Sequence, residues 1–384
     1  MLNLKYLGKQ QAQKDFIRLS QKRKMSDANP IKPSNRKNLP GVKPMKNIPE
    51  VKNDFGKLYE KLLTNQEKNL FIAAIELGIF QELSNWKSTE ELVKKLNINQ
   101  KNAEVFLNSL VSLDLIEKKN GSFKNLPAVE EFFAEKNDKY LGDSFLSYYD
   151  YYNMSSTQIC ELVRNGPGDG EMPNINSEDL WTEHARLTVN FLRAGMAQLA
   201  IRHVSSLPEY PTFRRMLDLG CGTGVFGTLI TMNHPSMKAV LFDRPAVLRV
   251  AQEVIDEYEM GDRVQVTGGD YICDPIGENY DLVWASETLN FAGEHLDTVI
   301  KKIFNALNPG GVYVSLSDGM TDERTKPKEM IMGTLMTALY GNDVGMSEGV
   351  IANAMIKSGF ASVQSRTVKT PIGEMVMDIA RKSS

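Results

Sequence analysis

The stretch Met216-Leu217-Asp218-Leu219-Gly220-Cys221-Gly222-Thr223-Gly224 decides the fold of the C-terminal half of this 384-residue chain. Its first four residues read as a short apolar strand. Three glycines then alternate with small residues, and a missing side chain lets a ligand approach the backbone. Helical periodicity resumes near Val225, so the free N–H groups of a helix start face the same loop. The stretch therefore predicts a strand, a ligand-binding loop and a helix in succession.

Further strand and helix patterns alternate downstream of this loop. Strands are predicted at residues 239–242, 264–266, 281–284 and 312–316, with helices at 246–257 and 296–307 and a turn at 308–311. Repeated strand–helix units imply a mostly parallel sheet with helices on both faces. The predicted fold class is α/β, preceded by a mainly helical domain.

Acidic residues follow two of these strands. Asp243 ends the second strand, where its two oxygens can accept hydrogen bonds from both hydroxyls of a ribose. Asp270 follows the third strand and can accept from an exocyclic amino group such as that of adenine. Ligands of such sheets bind at the carboxyl ends of the strands. The domain lacks the GxGxxG spacing of dinucleotide-binding folds and the GxxxxGK[ST] loop of nucleotide phosphate sites.

The ordered set of glycine loop, Asp243, Gly269-Asp270 and Asn308-Pro309-Gly310-Gly311 resembles class I S-adenosylmethionine-dependent methyltransferases over residues 216–317. Residues 242–247 resemble the small-molecule O-methyltransferases of the caffeic acid and acetylserotonin type. The resemblance implies S-adenosylmethionine as cofactor and a small-molecule methyl acceptor. The cofactor-binding residues that it implies are Asp218, Gly220, Gly222, Gly224, Asp243, Arg244, Asp270 and Tyr271.

The preceding segment reads as a helical domain. Apolar residues recur at helical spacing from Leu58 to Phe80, Ser88 with Glu91 forms a capping box, and Asn99 opens another helix. A hairpin is predicted at Asn120-Gly121. Helices followed by a hairpin outline a winged helix, and in the resembled family that domain mediates dimerisation. A homodimer is expected, and binding to nucleic acid is not, because the helix at 100–113 carries no Arg.

The first fifty residues differ in charge from the rest. They hold twelve Lys and Arg against three acids, whereas the remaining chain has a net charge of −12. We predict a basic, disordered arm at 1–53, a winged-helix-like dimerisation domain at 54–165 and the cofactor-binding domain at 166–384. The three scattered cysteines favour a reducing, cytoplasmic location without a metal site. No apolar run approaches the roughly 18 residues of a membrane span.

The expected catalytic histidine is missing. The resembled O-methyltransferases carry a His-Asp-Trp triplet after the fourth strand, whose His acts as general base. Here Leu289 or Asn290 occupies that place. Residues 289–296 resemble instead the bacteriochlorophyllide C-20 methyltransferases, which methylate carbon and also lack that His. The remaining acid/base candidates are Glu287, Asn290 and His184, for which a cap, an ion pair or a solvated helix face is the alternative role.

These observations predict methyl transfer to a bulky, apolar or aromatic small molecule. The missing His favours methylation of carbon, which depends mainly on alignment with the sulfonium. The alternative is a protein that binds S-adenosylmethionine without transferring its methyl group. Aromatic and methionine residues that are candidates for the acceptor pocket, with core packing as the alternative, are Tyr149, Tyr152, Met332 and Met336.

Overall fold

A computed structural model describes residues 50–168 and 177–384. Residues 61–384 form one compact unit, and the residues before them form another, of which 50–60 are described. The predicted basic arm lies outside the described residues except for 50–53, which form no helix or strand. The boundaries predicted at 53 and 165 remain predictions. No helix in the described ranges is both long enough and apolar enough to cross a membrane.

The N-terminal part is mainly helical, with a three-stranded antiparallel sheet in the order β1-β3-β2. Its elements are α1 (Gly56–Glu76), α2 (Ile79–Glu82), β1 (Lys87–Ser88), α3 (Thr89–Leu96), α4 (Gln100–Ser112), β2 (Ile116–Lys119), β3 (Ser122–Asn125), α5 (Pro127–Phe133), α6 (Gly142–Tyr152) and α7 (Ser156–Asn165).

Local chemistry explains where these elements begin and end. The capping box is confirmed, since Ser88 Oγ accepts from Glu91 N and the Glu91 carboxylate accepts from Ser88 N. Asn99 caps α4, and Asn120 and Gly121 both have positive φ in the hairpin turn. The long helical pattern predicted through Phe80 is instead broken at Gly78, whose φ of 70° ends one helix before the next begins.

The C-terminal part is a seven-stranded sheet in the order β6-β5-β4-β7-β8-β10-β9. Strands β4 to β8 are parallel, and β10 is antiparallel to both of its neighbours. Its strands are β4 (Arg215–Leu219), β5 (Lys238–Asp243), β6 (Val264–Gly268), β7 (Tyr280–Ser286), β8 (Leu307–Ser317), β9 (Ser362–Thr370) and β10 (Gly373–Arg381). The predicted α/β class with a mainly helical N-terminal part is confirmed.

Helices cover both faces of this sheet. The helices are α8 (Glu178–Phe191), α9 (Ala197–Ser205), α10 (Val225–Asn233), α11 (Leu248–Glu257), α12 (Leu296–Ala306), α13 (Lys328–Leu339) and α14 (Val350–Ser358), and a π-turn (Leu192–Met196) joins α8 to α9. One apolar core includes side chains of α9, α10 and α11, and the other includes those of α12 and α14. Successive residues of β4 alternate between the two cores, as a strand buried on both faces requires.

One turn prediction is wrong. Residues Asn308 to Gly311 belong to β8 as a bulge, because Leu307 pairs with Tyr280 whereas Val312 pairs with Leu282. The additional residues on β8 are accommodated by Gly310 at a φ of 74°. The hairpin of β9 and β10, which completes the sheet, was not identified from the sequence.

A buried carboxyl joins β4 to the helix that follows it. Asp218 is 2% exposed, and its Oδ2 accepts a hydrogen bond from Gly227 N in α10 at 2.8 Å. Burial raises the pKa of Asp218 to about 7, the Gly227 N–H opposes that rise, and the charge of Asp243 adds to it. Ionisation of Asp218 therefore costs stability in the folded protein.

We predict that Asp218→Asn changes the pH dependence of stability. The folded pKa lies above the ordinary Asp value, so the contribution of Asp218 to stability is largest below that ordinary value and falls as the pH rises to about 7. Asn keeps an oxygen for the Gly227 N–H and cannot ionise. We measure the free energy of unfolding in urea without cofactor. From pH 5 to pH 8, the mutant's value should rise by roughly 3 kcal/mol relative to that of wild type. Asp256→Asn, at an exposed position, is the control. If the stability difference between Asp218→Asn and wild type does not change with pH, the raised pKa of Asp218 is contradicted.

Candidate active site

A cavity of about 350 Å³ opens at the carboxyl ends of the parallel strands. The loops after β4, β5, β6 and β7 form its floor, and residues of α6, α8 and the π-turn form the opposite wall. Ile372, in the turn between β9 and β10, also lines it. The cavity therefore lies where ligands of open parallel sheets bind.

The glycines of the first loop have different roles. Gly220 and Gly222 line the cavity, whereas Gly224 does not. A Cβ at Gly220 would lie 1.9 Å from Thr288 Oγ1, and one at Gly224 would lie 2.8 Å from the Cβ of Ala251. A Cβ at Gly222 would meet no atom within 4 Å. Gly222 therefore leaves space for a ligand, while the other two glycines allow close packing of the loop.

Asp243 is fixed by two backbone donors. Its Oδ2 accepts from Gly222 N and its Oδ1 accepts from Arg244 N, both at 2.7 Å. Burial raises the pKa of Asp243, and the two N–H donors oppose this rise. Asp243 and Arg244 both line the cavity. Each carboxylate oxygen of Asp243 has further acceptor capacity for a ligand hydroxyl.

Asp270 and Tyr271 form the adjacent wall. Asp270 Oδ1 accepts from Ile272 N at 2.8 Å, and Tyr271 donates its hydroxyl to Thr288 O at 2.8 Å. Burial raises the pKa of Tyr271 to about 12. Seven of the eight sequence-predicted cofactor residues, all except Gly224, thus line the cavity.

The opposite end of the cavity is aromatic and apolar. Trp181 and Phe291 pack edge to face with ring centroids 4.8 Å apart, and Tyr148 packs in the same way on Phe191 at 5.5 Å. Met196 contributes apolar surface. Sequence reasoning identified His184 of this wall as a candidate but missed Trp181 and Phe291. The available signal was the spacing of three and four along α8, which places Trp181, His184, Ala185 and Thr188 on one helix face.

The predicted acceptor-pocket residues lie outside the cavity wall. Tyr149 donates its hydroxyl to Asn69 Oδ1 at 3.0 Å, and Tyr152 stacks on the outer side of Tyr148 at 5.8 Å. Met332 and Met336 of α13 do not line the cavity either. Adjacent helix positions point about 100° apart, so Tyr148 faces the cavity and Tyr149 does not. A contact of these four residues with an acceptor stays a prediction.

Two of the three acid/base candidates reach the cavity. His184 lies on its wall, edge-on to Trp181 at 5.9 Å, and crowding by protein atoms lowers the pKa of the imidazole because its charged form loses hydration. Glu287 also lines the cavity. Asn290 does not, and its Nδ2 donates to Asp318 Oδ2 at 3.1 Å.

Glu287 stands in an unusual environment. Its backbone has a φ of 49°, in the left-handed region that few residues other than glycine adopt. Loss of hydration raises the pKa of its carboxyl well above the usual range, and the charge of Asp318 and a hydrogen bond to it raise the pKa further, although the residue is exposed towards the cavity. Asp318 was not singled out from the sequence, although it directly follows β8, at the same edge of the sheet as the other site residues.

Comparisons with known proteins agree with this geometry. Residues 178–360 match the model of the O-methyltransferase domain family. The chain is 26% identical over 314 residues to the N,N-dimethyltransferase OxyT of Streptomyces rimosus. The aligned region covers 79% of this chain and 90% of that protein. It also resembles the solved structure of an O-methyltransferase family protein from Burkholderia thailandensis, with a TM-score of 0.70, 20% identity and coverage of 87% and 99%.

A further structural neighbour is human N-acetylserotonin methyltransferase in complex with SAM, with a TM-score of 0.66 and 18% identity over 88% of this chain and 100% of that one. These structural likenesses concern the fold. Residues 178–360 thus match the O-methyltransferase domain family, and the fold of the chain is that of solved methyltransferases.

Proposed function

We propose that the chain transfers a methyl group from S-adenosylmethionine to a carbon atom of an electron-rich aromatic small molecule. The observation that supports this most is the division of one cavity into two halves. The half beside the strand ends holds the glycine loop and its acids, and the half beside α8 is aromatic and apolar. A polar cofactor and a flat apolar acceptor can therefore lie side by side.

The residues of the first half fit the cofactor. Asp243, held by two backbone N–H groups, presents its oxygens to the ribose hydroxyls. Asp270 accepts from the adenine amino group, and Tyr271 lies beside the ring. Gly222 leaves the space that the amino-acid portion needs. When bound, S-adenosylmethionine supplies a methyl group attached to positively charged sulfur.

The second half favours an aromatic acceptor. Trp181, Phe291 and Tyr148 offer ring faces and edges at a cavity wall, and such groups bind flat molecules by offset or edge contacts. The lowered pKa of His184 keeps its imidazole neutral at pH 7, so it adds a hydrogen-bonding group without charge. An acceptor with one or two polar substituents on an aromatic frame suits this wall.

Two features favour an acceptor atom other than oxygen, and we assign it to carbon. Leu289 is 2% exposed and Asn290 is engaged by Asp318, so neither position of the expected catalytic His provides a base. The similarity to an N,N-dimethyltransferase also supports acceptor atoms other than oxygen. Methyl transfer to an electron-rich ring carbon depends mainly on alignment with the sulfonium.

We expect Asp243→Asn to weaken binding of S-adenosylmethionine about 10- to 100-fold, because one charged acceptor of the ribose hydroxyls is lost. Calorimetric titration of the purified chain measures this, with thermal unfolding to verify folding. Asp256→Asn, an exposed acid on α11, serves as the matched control and should bind like wild type. Unchanged affinity in the folded Asp243 variant would show that the ribose lies elsewhere.

The atom that receives the methyl group can be identified from the product. Incubation with methyl-¹³C-labelled S-adenosylmethionine and a panel of electron-rich phenols, including 1,3-dihydroxynaphthalene, should yield a methyl group bonded to ring carbon. NMR distinguishes this methyl from one on oxygen by its chemical shift. A methyl group on oxygen would refute carbon as the methylated atom but would still demonstrate methyl transfer. Absence of any methylated product across the panel would count against an aromatic phenol as acceptor.

We also propose that two copies of the chain pair through the N-terminal part. Residues spaced three and four apart at the start of α1 expose large apolar side chains: Phe55 is 70% exposed, Leu58 72% and Leu62 72%. Tyr59 and Leu63 extend the same surface. A continuous exposed apolar patch of this kind marks a protein interface in most soluble proteins.

The double substitution Leu58→Glu and Leu62→Glu should convert a dimer to a monomer, because burying two carboxylates in an apolar interface is costly. Sedimentation of the full chain measures the mass in solution. Ile356→Glu is the control, since Ile356 is 60% exposed on α14. A wild-type monomer, or a dimer that persists in the double variant, would exclude this interface.

A further inference from the structure

Glu287 occupies the junction between the two halves of the cavity. It directly follows β7, and its neighbour Thr288 packs against Gly220 of the glycine loop. Phe291, three residues after Thr288, contacts Trp181 on the aromatic wall. A group at this position lies between the place proposed for the cofactor and the place proposed for the acceptor.

The backbone of Glu287 brings it to a second carboxyl. Glu287 N donates to Leu316 O at 2.9 Å, which ties the end of β7 to the end of β8. Asp318 follows two residues later and is 4% exposed. Asp318 raises the pKa of Glu287 through its charge and a side-chain hydrogen bond. Two carboxyl groups this close avoid like-charge repulsion when one of them keeps a proton, which gives the pair a single negative charge.

Asp318 is held by two other donors. Asn290 Nδ2 and Met346 N both donate to its Oδ2, each at 3.1 Å. Burial raises the pKa of Asp318, while its hydrogen bonds and the charge of Arg324 oppose the rise. These donors stabilise the negative charge on Asp318, so the shared proton belongs to Glu287 and the anionic end of the pair is the buried one.

The other charged groups around the pair do not neutralise it. Arg324, the nearby cation, donates to both oxygens of Asp343, at 2.7 and 2.9 Å. Titratable or charged groups that line the same cavity are Tyr148, His184, Asp218, Cys221, Asp243, Arg244, Asp270 and Tyr271.

We propose that Glu287 is a catalytic residue that takes the proton released by the methyl acceptor, and that Asp318 is its positioning residue. This inference rests on the proposed function. The acceptor's O–H or C–H proton passes to the cavity-facing oxygen of Glu287, and the proton already on Glu287 passes to Asp318. The methyl carbon forms a bond to the acceptor as its bond to sulfur breaks, and sulfur keeps that electron pair.

The charges balance in this step. The carboxyl pair loses its negative charge when it takes up the proton, and sulfur loses its positive charge when the methyl group leaves. The acceptor exchanges a proton for a methyl group, so its own charge does not change. The anionic pair therefore also attracts the positively charged centre before transfer. His184 is the other candidate base that lines the cavity, and its ring packs against Trp181 in the aromatic half.

The protonation of the pair is measured without any acceptor. In protein labelled with ¹³C at the glutamate side-chain carboxyl, one resonance absent from Glu287→Gln should titrate well above the usual range of Glu. Glu294→Gln, which alters an 89% exposed carboxylate seven residues away, is the control and should leave that resonance unchanged. An ordinary titration of the Glu287 resonance would refute the shared proton, whatever acceptor the enzyme uses.

The catalytic role is tested with 1,3-dihydroxynaphthalene and S-adenosylmethionine in the full chain. Glu287→Gln should lower kcat about 10²- to 10⁴-fold at pH 7 and leave cofactor affinity within about twofold of wild type. The deficit should shrink as the pH approaches the acceptor's own pKa, because the acceptor then ionises without a base. Asp318→Asn should show a smaller loss with the same pH trend, and Glu294→Gln should behave as wild type.

Other outcomes would overturn the proposal. A loss that stays constant with pH would indicate a structural role for Glu287, and weakened cofactor binding with normal kcat would make it a cofactor ligand. If His184→Asn loses activity that returns at higher pH, and Glu287→Gln keeps full activity, the base is His184. If wild type does not methylate the probe, the proposed acceptor class fails, while the carboxyl titration still decides the state of the pair.

Discussion

The loop after β4 is tied to the end of β5 by three backbone donors. Gly220 N and Cys221 N donate to Phe242 O at 2.8 and 3.1 Å, and Gly222 N donates to Asp243 at 2.7 Å. These bonds satisfy the amides of a loop whose glycines all have positive φ, and they also orient the Asp243 carboxylate. The floor of the cavity depends on this junction, because the loop shape and the acceptor oxygens are set by the same contacts.

Much of the floor could be predicted from the sequence because it depends on neighbours along the chain. A strand, a glycine loop and an acid at the next strand end follow from short apolar runs and from the rule that ligands bind at carboxyl ends. The bulge at 308–311 escaped the same reasoning, since Asn-Pro-Gly-Gly reads as a turn locally. Only the pairing with β7 makes those residues part of a strand.

The face of α8 follows from its spacing, but the other segments that complete the aromatic wall could not be predicted because they lie far apart in the sequence. Tyr148 on α6, His184 on α8 and Ile372 near the C-terminus meet only in the folded chain. Whether Tyr148 or Tyr149 faces the cavity depends on the rotation of α6 about its own axis, which composition does not fix. Asp318 escaped notice for a related reason, since its significance comes from Glu287 and Asn290 on a neighbouring strand end.

The aromatic wall is contributed largely by a single face of α8, with Trp181, His184, Ala185 and Thr188 in succession. The loops that carry Asp243 and Asp270 come from the sheet and take no part in that face. Substitutions along one side of one helix would thus reshape the space that we propose for the acceptor. On the proposed function, such a division lets changes on α8 alter substrate preference while Asp243 and Asp270 are kept.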